Sequence, residues 1–263
     1  MSYPIEALKG QKTYTWSQCL PSHPFKMLMV GKSPAGKTTV LISMLNKKFP
    51  FANFFKNNIF VMCPTIRDDK RWGPVLKRLK IEKEFISETW DDDFISEKVK
   101  KHVDEHRLPT LLVIDDMIPI PGPRKNRTVF TSVFTRGRHW GNDAGLSIIT
   151  TTQFLRALDP IIRSNASNIL LWFNSDKETL KAYEENASGL SKKDWYELFL
   201  HAVRQKYSFF HINYGAPSLE EGRFCLRFEK IIVPDSFKVH EEEVPENEDN
   251  LDEPEGKNEE NEY

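Results

Sequence analysis

A glycine-rich segment near the N-terminus has the residue types and spacing that bind phosphate groups. Residues 31–38 read Gly-Lys-Ser-Pro-Ala-Gly-Lys-Thr and fit the pattern G-x-x-x-x-G-K-[ST]. In such a loop, backbone N–H groups and a helix N-terminus surround the β- and γ-phosphates of a nucleotide, a lysine adds positive charge, and a hydroxyl can hold Mg²⁺. We assign the catalytic cation to Lys37, a metal ligand to Thr38, and nucleotide contacts to Gly31, Lys32, Ser33, Pro34, Ala35, Gly36, Lys37, Thr38 and Thr39.

An acidic pair follows an apolar run further along the chain. Residues 110–114 read Thr-Leu-Leu-Val-Ile and lead directly into Asp115 and Asp116. Ligands of parallel sheets sit beyond the carboxyl ends of the strands, so we expect Asp115 to hold Mg²⁺ and Asp116 to orient or deprotonate the attacking water. The same pattern also occurs where a strand simply ends at solvent. The assignment therefore depends on the phosphate loop.

Two further groups of polar residues could complete such a site. Gln153 follows the predicted strand 146–152 and is interpreted as a sensor of the γ-phosphate, the alternative being ordinary polarity at a strand end. Arg138, Arg136 and Arg163 are candidates for an arginine finger, because a guanidinium stabilises the charge that spreads over a transferring phosphoryl group. Each of these arginines could instead contact DNA phosphates or form a surface salt bridge.

The flanking segments predict the elements that position these residues. Strands are predicted at 25–30, 58–63, 110–114, 146–152 and 168–173. Helices are predicted near 39–48, where apolar residues recur at helical spacing, near 91–106, which opens on an acidic cluster, and near 71–80, 125–135, 175–186 and 191–204. A loop is expected at 119–123, and residues 207–212 and 224–228 suggest a terminal hairpin. Strands that alternate with helices predict an α/β fold with a doubly wound, mostly parallel sheet.

Charge is distributed unevenly along the 263 residues. Residues 240–263 contain twelve Asp or Glu and one Lys, a net charge of −11. Removing this tail from the formal net charge of −1 leaves +10 on residues 1–239. The tail is expected to be disordered, and the basic body predicts a polyanionic partner besides the nucleotide. The alternative is that excess lysine is common in α/β domains and that the acidic tail only aids solubility.

Composition and cysteine content limit the class of protein. Apolar residues make up 39% of the chain and charged residues 29%, which is typical of a globular protein. Neither a run of about 20 apolar residues nor a secretory signal is visible, so we expect no membrane span. Cys19, Cys63 and Cys225 are odd in number and lack paired spacing, which favours reduced thiols in an intracellular compartment.

The order of the motifs resembles that of viral genome-packaging ATPases. The chain is similar, over about residues 25–175, to the poxvirus-type packaging ATPases of large eukaryotic DNA viruses and virophages, within the FtsK–HerA superfamily. The resemblance rests on the phosphate loop, Asp115-Asp116, Arg136-Gly137-Arg138-His139, Thr151-Thr152-Gln153 and Ile162-Arg163-Ser164-Asn165. The chain departs from the commoner pattern at Pro34, which removes an N–H donor from the loop, and at Asp116, where Glu is more usual.

This resemblance implies a RecA-like (ASCE) P-loop fold and ATP-driven movement of double-stranded DNA into a capsid. Carried over by position, Lys37 and Thr38 match the phosphate-loop pair, Asp115 and Asp116 the acidic pair, Gln153 the sensor and Arg138 the finger. The implied cofactors are ATP and Mg²⁺. The implied partners are DNA, a capsid protein and further copies of the chain in a pentameric or hexameric ring, at a viral assembly site in the host cytoplasm or in the virion.

Other functions remain open at this point. A terminase-type motor would need a nuclease domain, for which too few residues follow position 173. A small-molecule kinase would use the arginines near Arg138 as a lid, and a non-hydrolysing protein would use nucleotide only to switch its affinity for DNA or capsid. A GTPase is disfavoured, since no Asn-Lys-x-Asp motif lies in a suitable place. We divide the chain into an extension (1–24), an ATPase core (25–175), C-terminal helices and hairpin (176–239) and the tail (240–263).

Overall fold

A central sheet of nine strands organises the residues that the structure describes. The structure is a computed structural model that describes residues 18–117, 125–186 and 189–237; the predicted loop at 119–123 and the acidic tail lie outside them. The strands are β1 Lys26–Val30, β2 Ile59–Met62, β3 Ile86–Ser87, β4 Thr110–Ile114, β5 Leu146–Thr152, β6 Asn168–Trp172, β7 Phe209–Asn213, β8 Phe224–Leu226 and β9 Lys230–Ile231.

The strand order is β3-β2-β4-β5-β1-β6-β7-β8-β9. Neighbours from β3 to β6 are parallel, and those from β6 to β9 are antiparallel. The strand before the phosphate loop, β1, is therefore separated from the strand before the acidic pair, β4, by β5 alone. This order brings the carboxyl ends of β4, β5 and β1 together at one edge, the carboxyl edge of the sheet.

Helices cover both faces of the sheet. They are α1 Lys37–Met44, α2 Phe51–Phe54, α3 Trp72–Leu79, α4 Lys100–His106, α5 Lys125–Arg136, the short α6 Trp140–Asp143, α7 Pro160–Asn165, α8 Lys177–Asn186 and α9 Lys192–Ala202. A π-helical segment, Phe94–Val99, leads into α4. Within the described residues, no helix is both long and apolar enough to cross a membrane.

Alternation along the strands explains why both faces are covered. In β4, Leu111 and Val113 pack on the face that carries α1, α2 and α3, whereas Leu112 and Ile114 pack on the face that carries α4, α5 and α7 to α9. Every residue of β4 and β5 is buried. A strand that is apolar on both sides needs helices on both sides, so the predicted doubly wound α/β fold is confirmed.

The structure differs from the sequence prediction mainly in short elements and boundaries. Strands β3 and β9 have two residues each, too few to produce a periodic pattern. The strand predicted from residue 207 begins at Phe209, because Tyr207 has a left-handed backbone with φ of 66°. The predicted hairpin, β7 with β8, is antiparallel and continues the main sheet through the pairing of β6 with β7.

Candidate nucleotide-binding site

The phosphate loop connects β1 to α1 at the carboxyl edge of the sheet. Gly36 is the N-cap of α1 and has φ of 99°, a left-handed conformation that favours glycine. Gly31 has no room for a side chain, because an added Cβ would lie 2.8 Å from the Cβ of Trp172. The Gly31 N–H donates to the carbonyl of Thr152 at 3.1 Å, which fastens the start of the loop to the end of β5.

Lys37 lies inside the loop and is only 8% exposed. Its Nζ donates to the carbonyl oxygens of Gly31 at 2.5 Å and Lys32 at 3.5 Å. Burial lowers the pKa of Lys37, while the negative charges of Asp116 and Asp115 act to raise it. The loop therefore holds a positive charge close to both predicted carboxylates. The ammonium group of Lys37 can exchange its backbone carbonyl partners for phosphate oxygens.

Asp115 lies at the end of β4 and is almost completely buried. Its Oδ1 accepts hydrogen bonds from the hydroxyls of Thr38, at 3.2 Å, and Thr151, at 2.9 Å. Burial raises the pKa of Asp115, and the two hydroxyl contacts oppose this effect. A hydroxyl and a carboxylate oxygen side by side suit Mg²⁺, which prefers oxygen ligands and usually binds through one or two protein groups together with phosphates and water.

Asp116 and Gln153 border the same site. The backbone N–H of Asp116 donates to the Thr151 hydroxyl at 2.8 Å. The backbone of Asp116 is left-handed, with φ of 51°, and its side chain is exposed. Gln153 is half-buried and comes directly after Thr152, whose carbonyl is bonded to Gly31. Both residues thus follow the carboxyl ends of neighbouring strands, at the edge of the sheet where the phosphate loop lies.

Arg71 also reaches this site, although no sequence motif indicated it. It lies immediately before α3, and its NH1 donates to the hydroxyl of Thr39 at 2.9 Å. Its Nε and NH2 contact both carboxylate oxygens of Asp69, a contact that raises the pKa of Arg71 and lowers that of Asp69. One sequence signal could have indicated Arg71: it lies in a polar segment after β2, and the carboxyl end of β2 lies at the same edge of the sheet as the phosphate loop.

A cavity of about 390 Å³ lies above the N-terminus of α1. Of the described residues that line it, Lys37 and Arg71 carry positive charge, and the others are loop residues, Val40 and Tyr207. A second, mostly apolar cavity of about 720 Å³ shares Ser33, Pro34, Ala35 and Tyr207 with it and extends toward Trp172, Phe173 and Leu200. The cavity above α1 therefore opens beside an apolar surface, which lies on the side of the loop away from Asp115.

The three sequence-predicted arginines lie near the opposite, amino edge of the sheet. Arg138 is exposed and lies close to Lys26, the first residue of β1. Burial lowers the pKa of Lys26, and the positive charge of Arg138 lowers it further. Arg136 is exposed at the end of α5, and Arg163 is half-buried in α7, shortly before β6 begins. A five-residue strand spans roughly 16 Å, so these arginines do not meet the phosphate loop of the same chain.

Comparisons with known proteins agree with this geometry. The family described as Poxvirus A32 protein matches residues 13–228. No curated protein sequence matches the chain significantly. Among solved structures, the fold is similar to that of the genome packaging NTPase B204 from Sulfolobus turreted icosahedral virus 2. In its complex with sulfate the TM-score is 0.50 and the identity 16%, covering 74% of this chain and 93% of that chain.

Two further structures give the same result. B204 in complex with ATP-gammaS has a TM-score of 0.50 and 17% identity, covering 74% of this chain and 95% of that chain. B204 described as the DNA-packaging ATPase from Sulfolobus turreted icosahedral virus has the same TM-score at 16% identity, with the same coverage. At this identity the likeness establishes a shared fold. The family match extends over most of the 263 residues, and the chain belongs to the Poxvirus A32 protein family.

Proposed function

We propose that this protein hydrolyses ATP with Mg²⁺ and uses the free energy to move double-stranded DNA into a viral capsid. The observation that carries the proposal is the meeting of Thr38 with buried Asp115 beside Lys37, at the edge where the phosphate loop ends. Membership in the A32 family and the fold shared with proteins described as packaging NTPases support the same function.

Each residue of the site has a distinct part in this proposal. Lys37 would exchange its carbonyl partners for β- and γ-phosphate oxygens, and Thr38 and Asp115 would hold Mg²⁺. The metal, when bound, neutralises charge that develops on the phosphates. Asp116 would accept a proton from, or orient, the attacking water, and Gln153 would respond to loss of the γ-phosphate through the strand end that is bonded to Gly31.

In a ring of subunits, each subunit would supply an arginine to the nucleotide site of its neighbour. Arg138, or alternatively Arg136 or Arg163, would stabilise the transferring phosphoryl group bound to a neighbouring copy, since about 16 Å of sheet separates these side chains from their own loop. The charge of +10 on residues 1–239 favours DNA as the polyanionic partner. A pentamer or hexamer at the capsid, assembled in the host cytoplasm, would fit this arrangement.

Phosphate release with ATP and Mg²⁺, measured with and without duplex DNA, tests the proposal. We expect DNA to increase turnover, and Lys37→Ala to reduce it by roughly a hundredfold or more, since it removes charge stabilisation at the phosphates. Lys48→Ala, which alters an exposed lysine just beyond α1, is the matched control and should retain turnover.

Three results would contradict the proposal. Undiminished turnover in Lys37→Ala would exclude the loop as the catalytic site. Turnover that depends on an added nucleoside and not on DNA would favour a small-molecule kinase. ATP binding without turnover under every condition would favour a nucleotide-switched binding protein.

A further inference from the structure

The side chain of Arg71 is held in one orientation by the carboxylate of Asp69. Its Nε lies 2.9 and 3.0 Å from the two carboxylate oxygens, and its NH2 lies 2.5 Å from one of them. A guanidinium has five N–H donors in a fixed fork, and this contact uses the edge formed by Nε and NH2. The other edge, that of NH1, is left to face the phosphate loop, where it meets the Thr39 hydroxyl.

Stability alone gives a weak account of this pair. The Arg71 side chain is 51% exposed and that of Asp69 is 17% exposed, and ion pairs near the surface contribute little to folding. Orientation is the more specific consequence of the contact, because Asp69 fixes the plane of the guanidinium. Of the described residues that line the cavity above α1, Lys37 and Arg71 are the two cations.

We infer that Arg71 contacts the phosphate groups of the bound nucleotide from within the same subunit, and that Asp69 positions it. The inference rests on the proposed nucleotide site and assigns a residue that the three predicted arginines cannot replace, since they lie at the opposite edge of the sheet. Thr39 follows Thr38 directly, so an arginine bonded to its hydroxyl lies beside the loop that receives the phosphates. On binding, NH1 turns from this hydroxyl to a phosphate oxygen.

Affinities for ATP and for inorganic tripolyphosphate, both with Mg²⁺, test this role by calorimetry. Tripolyphosphate lacks base and ribose, so it isolates contacts to phosphate. We expect Arg71→Ala to weaken both ligands by a similar factor of roughly ten or more, because it removes charge-assisted hydrogen bonds. Arg71→Lys should recover part of this loss, since it keeps the charge but lacks the fork.

Arg78→Ala is the matched control for the docking of α3. Arg78 lies in the same helix and donates through NH2 to the carbonyl of Leu45 at 2.8 Å, away from the phosphate loop. It should change both affinities by less than about twofold. A loss with Arg78→Ala equal to that with Arg71→Ala would mean that helix docking is responsible, and it would overturn the inference.

The role of Asp69 requires its own comparison. Asp69→Asn should weaken both ligands less than Arg71→Ala does, and adding it to Arg71→Ala should cause little further loss, since Asp69 acts through Arg71. Fully additive losses would overturn the positioning role. Unchanged tripolyphosphate affinity in Arg71→Ala would overturn the phosphate contact while leaving the nucleotide site intact. Failure of the unaltered protein to bind either ligand would instead overturn the proposed function.

Discussion

The hydroxyl of Thr151 connects both acidic residues, which makes Thr151→Val a sharp test of the site. The hydroxyl donates to Asp115 Oδ1 at 2.9 Å and accepts from the Asp116 N–H at 2.8 Å, and Thr151 is fully buried. A hydrogen bond to a charged group is worth about 1.5–3 kcal/mol and a neutral one about 0.5–1.5 kcal/mol. We therefore expect the variant, which keeps the shape of the side chain, to lose about 2–4 kcal/mol of unfolding free energy.

The same substitution should also impair metal-dependent turnover. With one of its two hydroxyl donors removed, the already raised pKa of Asp115 should rise further, and its carboxylate should be less well oriented toward Thr38. Urea unfolding monitored by circular dichroism gives the stability. The Mg²⁺ dependence of phosphate release reports the effect on the site.

The preceding residue provides the matched control. Thr150 is equally buried, yet its hydroxyl has no hydrogen-bond partner among the described residues. Thr150→Val should leave stability unchanged or increase it, because it removes a buried polar group that is unpaired. Equal losses from the two variants would refute this account, since strand propensity or packing would then explain both.

Three further predictions concern charge. Asp115→Asn should weaken Mg²⁺-dependent nucleotide binding, whereas Asp116→Asn should retain binding and slow hydrolysis; identical binding and turnover would contradict this division. Arg138→Ala should bind nucleotide normally but lower turnover by roughly 10³-fold, and mixing it with Lys37→Ala subunits should restore activity at shared interfaces; confirmed mixed rings without recovery would favour Arg136, Arg163 or a finger acting within its own subunit. Burial lowers the pKa of His23 to about 4 in the folded protein. As pH drops from about 6.5 toward 4, the unfolded chain therefore binds a proton that the folded protein does not, and the free energy of unfolding should fall by up to about 1.4 kcal/mol per pH unit. A His23→Gln variant with an unaltered slope in unfolding measurements would exclude that histidine as the cause.

Much of the scaffold could be predicted because its signals are local in sequence. The loop at residues 31–38 follows an apolar run and precedes a helical pattern, and the structure contains β1 and α1 at those places. The position of Arg138 could also have been deduced. It precedes β5, which runs parallel to β1, so it must lie at the edge opposite the phosphate loop.

Other parts of the site depend on which strands become neighbours. Arg71 follows the end of β2, whose parallel direction puts this segment at the carboxyl edge, but the contact with Thr39 also depends on where β2 lies in the order β2-β4-β5-β1. The two contacts of the Thr151 hydroxyl likewise require β5 to lie beside β4. A single sequence carries no periodic or motif signal for such lateral contacts, because they join residues far apart in the chain.

The central position of β5 has a mechanical consequence. This seven-residue strand is hydrogen-bonded to a parallel neighbour on each side and is buried along its whole length, with Gln153 at one end and the Arg138 segment before the other. Sliding by one residue would break the hydrogen-bond register with both neighbours and exchange side chains between two packed faces, so the strand cannot absorb displacement by slipping in register. We expect β5 to move as a rigid element, so that force arising at the nucleotide is transmitted to the opposite edge of the sheet as rigid-body motion.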